Sequence, residues 1–448
     1  MPRVVTVSAA LDARYAPAVT GLDEREWPNG LRALGSRDYR VFWTAALVSS
    51  VGSHMQLAAL GWVVAVLTAS ATKVALVAFG TIIPLVVLSP IAGSLTDRYP
   101  RRHLLLATMT LQTAQATALA ITWALGFRSF WLIFALAVVG GIATAMNGPV
   151  LQAFVPELVP RPDLPNAVML NSAQFNVAKA LGPIAAGILL VNTAGASWCF
   201  FLNALSFGAV MIAVASIREG RHPPPLHRTD GYWRDFVEGS KHVLREPGLR
   251  TAIGINGFVA MVGQPLVPLI PVVALELYGA DSVQYGVLAG ALGAGAILGA
   301  VLTGRLDGRW KPSRILALGL YLYAAFVCFV ALSNSLNTGI IAITGAGAGF
   351  LVVIATDNSC IQGLAQEPWR GRVIGIWLTA YGIAYPVGVL VQGILADAIG
   401  VRAVLLGDAV ILTIGTTFLL VRKTMHALDT DEAIANLNIG PVDPEELS

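Results

Sequence analysis

Apolar stretches of about 18–25 residues recur along the whole chain, separated by short polar turns, and this is the length a helix needs to cross a hydrocarbon layer of about 30 Å. Their spacing predicts helices over 40–67, 73–96, 102–125, 129–152, 166–191 and 196–217, then over 250–276, 282–306, 313–333, 337–363, 372–396 and 401–422. Runs such as Val74 to Leu95 are continuous rather than alternating with period two, which favours helices over a β-barrel. Between the two sets of six, residues 218–249 begin with a polar stretch carrying Pro223, Pro224 and Pro225. Beyond it, Trp233, Phe236, Val237, Val243 and Leu244 repeat at helical spacing, opposite Arg234, Asp235, Glu238, Lys241 and Arg245. That pattern predicts an amphipathic helix lying on the membrane surface, the alternative being a partly ordered linker.

Composition agrees with the pattern. Of 448 residues 56% are hydrophobic and 12% charged, roughly half the charged fraction of a soluble domain. A soluble fold is thereby excluded. The positive charges decide the orientation: with the N-terminus in the cytoplasm, 25 Lys and Arg fall on the inner side and 3 on the outer, Lys73, Arg128 and Arg402. The asymmetry predicts both termini cytoplasmic. The basic residues sit in loops, so no nucleic-acid partner is implied. Val4 to Leu11 is too short and too polar for a cleaved signal peptide, and the first spanning helix is expected to direct the chain to the cell membrane. Cys199, Cys328 and Cys360 lie in apolar segments without metal-type spacing, so neither a metal nor a cofactor is expected.

An internal repeat orders the chain. Gly93-Ser-Leu-Thr-Asp97-Arg98-Tyr-Pro-Arg101-Arg102 joins two spans, and its remnant returns as Gly304-Arg-Leu306-Asp-Gly-Arg309-Trp-Lys311-Pro-Ser-Arg314. Glu157 and Arg161 before the fifth span are echoed by Glu367 and Arg370 before the eleventh, and Gly182-Pro183 by Tyr385-Pro386. Two copies of one six-helix unit follow, packed about a pseudo-two-fold axis with a site at their interface. The expected organisation is a cytoplasmic segment 1–35, bundles 36–217 and 250–423 joined by the linker 218–249, and a cytoplasmic tail 424–448.

At these residues the chain resembles a major facilitator superfamily transporter over about residues 36–423. The Gly93 to Arg102 segment is similar to the superfamily's signature between the second and third helices, and Gly182, Pro183 and Gly187 resemble its antiporter signature. The strings Pro165 to Ser172 and Trp198 to Phe207 resemble the branch of the enterobactin exporter and macrolide efflux proteins. The fold implied is all-α, with twelve transmembrane helices in two pseudo-symmetric six-helix bundles, a monomer in the lipid bilayer. The resemblance implies that Asp97 latches the bundles against the start of the eleventh helix while the cavity is open outward. Arg98, Arg101 and Arg102 would then hold the loop through carboxylates such as Glu157 and through lipid headgroups; positive-inside anchoring is their other reading.

Charges inside spans are costly, roughly 2.5–3.5 kcal/mol on insertion scales, and mark candidate sites. Lys179, three residues before Gly182, is the foremost, as a functional cation or as a clamp on carbonyls freed by Pro183. His54 is central in the first span and reads as a proton-exchanging group or a hydrogen-bonded core histidine. The family places Asp357 and Asn358 along the cavity. Gln56, Asn147, Asn256 and Tyr381 complete the candidate lining. Glu276 and Asp397 border the outer interface with no special role expected. No basic residue lies between Trp131 and Met146, where many proton-coupled members carry an arginine, so proton antiport rests on the fifth-helix signature.

A secondary exporter of a small organic compound, a siderophore, antibiotic or lipophilic metabolite, is therefore expected to work by alternating access with protons as counter-ion. A lipid or lysolipid flippase or an importer on the same fold is the alternative, with a non-transporting receptor or scaffold behind it. No HExxH, GxSxG or GxxxxGK[ST] occurs, so no catalytic residues and no enzymatic activity are expected.

Overall fold

The computed structural model describes residues 27–192, 194–217, 232–366 and 368–429, and of Asn29, Ser89, Pro90, Ser94, Asp97, Tyr232, Trp233, Arg234 and Asp235 the backbone alone. The expectations for residues 1–26, for Pro223 to Pro225, for Glu367 and for the tail beyond Asp429 lie outside these. Six helices form the first bundle: α1 (Arg37–Thr68), α2 (Ala71–Arg98), α3 (Arg101–Ala124), α4 (Phe130–Phe154), α5 (Leu164–Leu189) and α6 (Gly195–Ser216). The linker carries α7 (Tyr232–Arg245). The second bundle comprises α8 (Pro247–Val262), α9 (Leu266–Tyr278), α10 (Ser282–Leu306), α11 (Pro312–Leu332), α12 (Leu336–Leu364), α13 (Arg370–Ile399) and α14 (Val401–Val421).

Local chemistry sets the helix ends. Ser36, Ser70 and Ser335 cap α1, α2 and α12, and Asp281 and Gln284 form a capping box at α10, each satisfying amides that a helix start leaves open. Gly279 and Gly400 supply the positive φ that ends α9 and α13. The stretch expected as one helix over 250–276 is instead two, broken at Gly263-Gln264-Pro265. Pro265, Pro268 and Pro271 withhold consecutive backbone donors there, and the Tyr323 hydroxyl donates to the Gly263 carbonyl.

Among the described residues, eleven stretches are long and apolar enough to cross a membrane, with α8 and α9 counted together. α5 is not one of them, because Asn166, Asn171, Ser172, Gln174, Asn176 and Lys179 lower its hydropathy. It packs nevertheless between α1 and α10. The Tyr39 hydroxyl donates to the Ala167 carbonyl, Trp43 Nε1 to the Leu170 carbonyl and Gln174 Nε2 to Ser50 Oγ. Polar residues that would be expensive in lipid are thus spent inside the bundle.

The segment between α2 and α3 is fastened by its arginines. Arg101 donates to the Ala153 carbonyl and pairs with Glu157, both groups largely buried, and Arg102 donates to the Ala215 carbonyl near the end of α6. Removing one partner of a largely buried pair costs about 3 kcal/mol. Glu157→Ala is therefore expected to lower the melting temperature of the detergent-solubilised protein; an unchanged melt would refute a stabilising role for the pair.

The linker helix α7 is amphipathic, as its pattern predicts, and rests on the second bundle. Val243 is buried, Gly239 lies against Ile376 and Arg372, Arg372 Nη1 donates to Glu238 Oε2 at 3.0 Å, and the His242 ring stacks on Trp369. Val237 and Leu244 stay exposed, which leaves an apolar edge for the membrane surface.

Candidate functional site

Two pairs of helices bring the bundles together, α5 with α10 and α2 with α13. On the first pair the contact is made by small residues. A Cβ on Gly187 would stand 2.6 Å from the Ser282 carbonyl oxygen and 2.8 Å from Gly286 Cα, and one on Gly293 would stand 2.9 Å from Ala180 Cα. Gly286, Gly290 and Gly293 thus form the face of α10 that meets α5, whereas Gly295 and Gly299 face α12. Gly182, one turn earlier on α5, faces the other way, where a Cβ would meet His54 Cβ at 2.5 Å and Met55 N at 2.8 Å on α1. The Gly182-Pro183-Gly187 run therefore lets one helix approach two neighbours, one in each bundle.

The second pair is joined by a carboxylate. Asp397, near the end of α13, accepts from Ser70 Oγ at 2.6 Å, from the Ala71 amide at 2.6 Å and from the Thr72 amide at 3.0 Å. These are the donors left open at the start of α2, where the helix dipole favours a negative charge. An interfacial position expected to carry no special role is thus a cross-bundle cap. Its signal was present in the sequence only as Ser70-Ala71-Thr72, an ordinary helix start; the partner comes from 325 residues away.

The Gly187 and Asp397 contacts lie toward one face of the molecule, at the starts of α2 and α10 and the ends of α5 and α13, whereas Gly293 with Ala180 and Gly182 with His54 meet near the middle of their helices. Toward the other face, which carries Arg98, Arg101 and the linker helix, no described atom beyond their chain neighbours and own helix backbone lies within 4 Å of a Cβ built on Gly93, Gly371 or Gly375. The segment containing Asp97 and the start of α13 are therefore not packed together at these glycines in this conformation.

Between the bundles lies a cavity of roughly 350 Å³ lined from α1, α2, α5, α9, α10, α13 and the α8–α9 break. Its walls are mostly apolar, with an aromatic share from Phe175, Tyr285, Tyr381 and Tyr385. Tyr381 stacks on Tyr385 and accepts from Gln264 Nε2 at 2.6 Å. The Tyr285 hydroxyl donates across the bundles to the Ala58 carbonyl, and its ring stacks on Trp62. The break at Gly263-Gln264-Pro265 turns Gln264 into the cavity.

Lys179 and His54 are the cavity's basic residues. The Lys179 ammonium lies 6.0 Å above the Phe350 ring, and His54 Nδ1 is 2.9 Å from the Ser50 carbonyl oxygen, with its ring edge-on to Phe175. A carbonyl only accepts, so Nδ1 carries the hydrogen and Nε2 is free of that bond. Beside this cavity a second one of roughly 300 Å³ runs into the first bundle, sharing His54 and reaching Gln56. There Gln56 donates to Gln115 and accepts from Asn203.

Four of the candidate lining residues are elsewhere. Asn147 accepts from Thr108 Oγ1 between α3 and α4, and Asn358 accepts from Gln362 one turn along α12. Asp357 and Asn256 are fully buried between α12 and α8. Neither carboxylate oxygen of Asp357, nor Oδ1 of Asn256, has a hydrogen-bond partner among the described residues. The family pattern places Asp357 and Asn358 along the cavity, but α12 contributes no residue to its lining. Among the described residues no group of three or more His, Cys, Asp or Glu is placed to hold a metal ion.

Two helical bundles joined along two helix pairs and enclosing a mostly apolar cavity define a multi-pass transporter of the major facilitator fold. The model of the transmembrane secretion effector family within that superfamily matches residues 29–445, and the chain belongs to it. Similar proteins include the multidrug efflux pump Tap of Mycobacterium tuberculosis, 27% identical over 381 residues and covering 82% of this chain and 88% of the pump. Macrolide efflux protein A of Streptococcus pyogenes is 20% identical and the staphyloferrin A transporter of Staphylococcus aureus 23% identical, each covering 81% of this chain and 90% of its own. Among solved structures, a POT family transporter in complex with 5-aminolevulinic acid superposes with a TM-score of 0.71 at 13% identity, covering 91% of this chain and 99% of that one. A D-xylose–proton symporter gives 0.65 at 12%, covering 85% and 97%. The likeness to these structures concerns the fold alone.

Proposed function

We propose that this protein is a secondary exporter of small amphiphilic organic compounds in the cell membrane, with both termini and the linker helix in the cytoplasm. The observation that carries the reading is the cavity between the bundles, with contacts of Asp397, Gly187 and Gly286 at one face, which this reading makes the outer one, and none at Gly93, Gly371 or Gly375 toward the other. This is the inward-open state of an alternating-access cycle, ready to load from the cytoplasm or the inner leaflet. The efflux pumps among its relatives support the outward direction, and the mixed apolar and aromatic lining suits compounds like those their names specify.

The helix pair α2 and α13 suggests how the faces alternate. The two run antiparallel, and each carries an aspartate near its end, Asp397 on α13 and Asp97 on α2. Asp397 caps the start of α2 while the outer face is shut. When the bundles rock, that cap opens and Asp97 approaches the start of α13, where the same dipole argument holds. Protons are the proposed counter-ion, with Asp357 their candidate carrier, because its carboxyl is buried beside Asn256 without a partner.

Flux from proteoliposomes tests the reading. Purified protein is expected to move a fluorescent amphiphilic drug against its gradient when an inward-directed proton gradient is imposed, and Asp97→Asn to reduce that rate about tenfold with insertion intact. Absence of flux for well-folded protein would overturn the transport reading, and wild-type rates in Asp97→Asn would remove the inner latch from it.

A further inference from the structure

Resting on the export reading, we propose that the cavity selects organic anions: its substrates carry a carboxylate held by Lys179, beside His54, and an apolar body held by the aromatic wall. Lys179 lies three residues before Gly182, on the same face of α5, and Gly182 is in contact with His54. The crossing of α1 and α5 therefore delivers both basic side chains to one corner of the cavity, within electrostatic reach of each other. Among the described residues neither has a carboxylate partner, and no Asp or Glu lines the cavity.

A lysine ammonium largely withdrawn from water inside a membrane protein costs several kcal/mol unless an anion or a set of acceptors meets it. The face of Phe350 offers a cation–π contact at 6.0 Å, which compensates in part. What the corner still lacks is a negative charge, and a substrate carboxylate supplies it with charge-assisted hydrogen bonds. The remainder of the cavity fits an apolar body: Phe175, Tyr285 and Tyr381 line it, and roughly 350 Å³ lies at the lower end of the range for drug-sized ligands. A cationic compound of equal shape would meet Lys179 across a water-poor gap, and like-charge juxtaposition is how a site rejects a ligand.

Isothermal titration of the purified full-length protein in detergent tests this with three matched probes, 2-naphthylacetate, its methyl ester and a 2-naphthylmethyl trimethylammonium salt. The anion is expected to bind at least tenfold more tightly than the ester, and the cation more weakly than either. Lys179→Gln is expected to erase the anion's advantage while the ester binds as before, and Lys179→Arg to retain it. Equal binding of all three probes overturns anion selection and leaves the export reading standing. An undiminished preference in folded Lys179→Gln removes Lys179 from it. No binding of any probe to wild-type protein overturns the cavity as the site. A further arm with lysophosphatidylglycerol separates the source of the charge: binding of that lipid without 2-naphthylacetate overturns a soluble carboxylate in favour of a phospholipid.

Discussion

Gly187→Leu is expected to abolish transport while leaving the protein inserted and folded. The site has no room for a side chain, because a Cβ there already stands 2.6 Å from the Ser282 carbonyl oxygen and 2.8 Å from Gly286 Cα. Both neighbours are backbone on α10, so no rotamer change relieves the contact, and α5 and α10 must part. Overpacking of this kind costs roughly 2 kcal/mol, and because the strain exists only when the outer face is shut it acts on one conformation. About thirtyfold in the equilibrium between faces follows. Spin labels in the α3–α4 and α13–α14 connections should report a longer distance in the variant, and substrate flux should fall at least tenfold. Wild-type distances with wild-type flux would show that α5 and α10 do not close the outer face. Gly290, whose Cβ would meet the flexible Ile184 side chain, is the control: Gly290→Ala should have a smaller effect, since a side chain can give way where a carbonyl cannot.

Asp397→Ala is expected to act in the same direction through a different bond. It removes three hydrogen bonds to the start of α2 from a carboxylate on the other bundle. Loss of a helix cap costs about 0.5–2 kcal/mol, and the exposure of Asp397 places the effect within reach of salt screening. The outer face should open in a larger fraction of molecules, by about threefold to thirtyfold, with the same spin-label pair as readout. Asp397→Asn keeps an acceptor and should fall between the two. Because the cap belongs to one conformation, the variant should raise the rate of any step that waits on outer opening and slow the return. An unshifted distance distribution in Asp397→Ala would mean that the glycine contacts alone hold the face shut. The effects of Asp397→Ala and Gly187→Leu should add, since the two sites have no shared partners.

Much of the architecture was legible in the sequence because lipid is an unforgiving solvent. The twelve apolar stretches had to be helices, their lengths had to match the bilayer, and the duplicated Gly93 and Gly304 segments had to mark equivalent joints. Individual residues were legible where the reason was local. Gly286, Gly290 and Gly293, spaced along one face of a span, are a sequence pattern that permits close approach, and Lys179 stood out because a charge in a span is expensive. Asn147, Asn256, Asp357 and Asn358 show the limit. A polar residue in a span must face away from lipid, but whether it faces the cavity, a neighbour in the same bundle or a turn of its own helix depends on a rotation that composition does not record.

The residues missed entirely share one property, which is that their partner is far away in sequence. Asp397 looks like a loop-edge acid until the start of α2 is brought to it. Tyr285 reads as one aromatic among many until its hydroxyl meets the Ala58 carbonyl across the interface. The sequence by itself determined the solvent, the stretches that span it, the duplication and the cost of each buried charge, since these follow from transfer free energies and repeated patterns along the chain. Only the tertiary structure decided which helix ends meet and which two basic side chains share one corner of the cavity, because those depend on how two rigid bundles lean against each other.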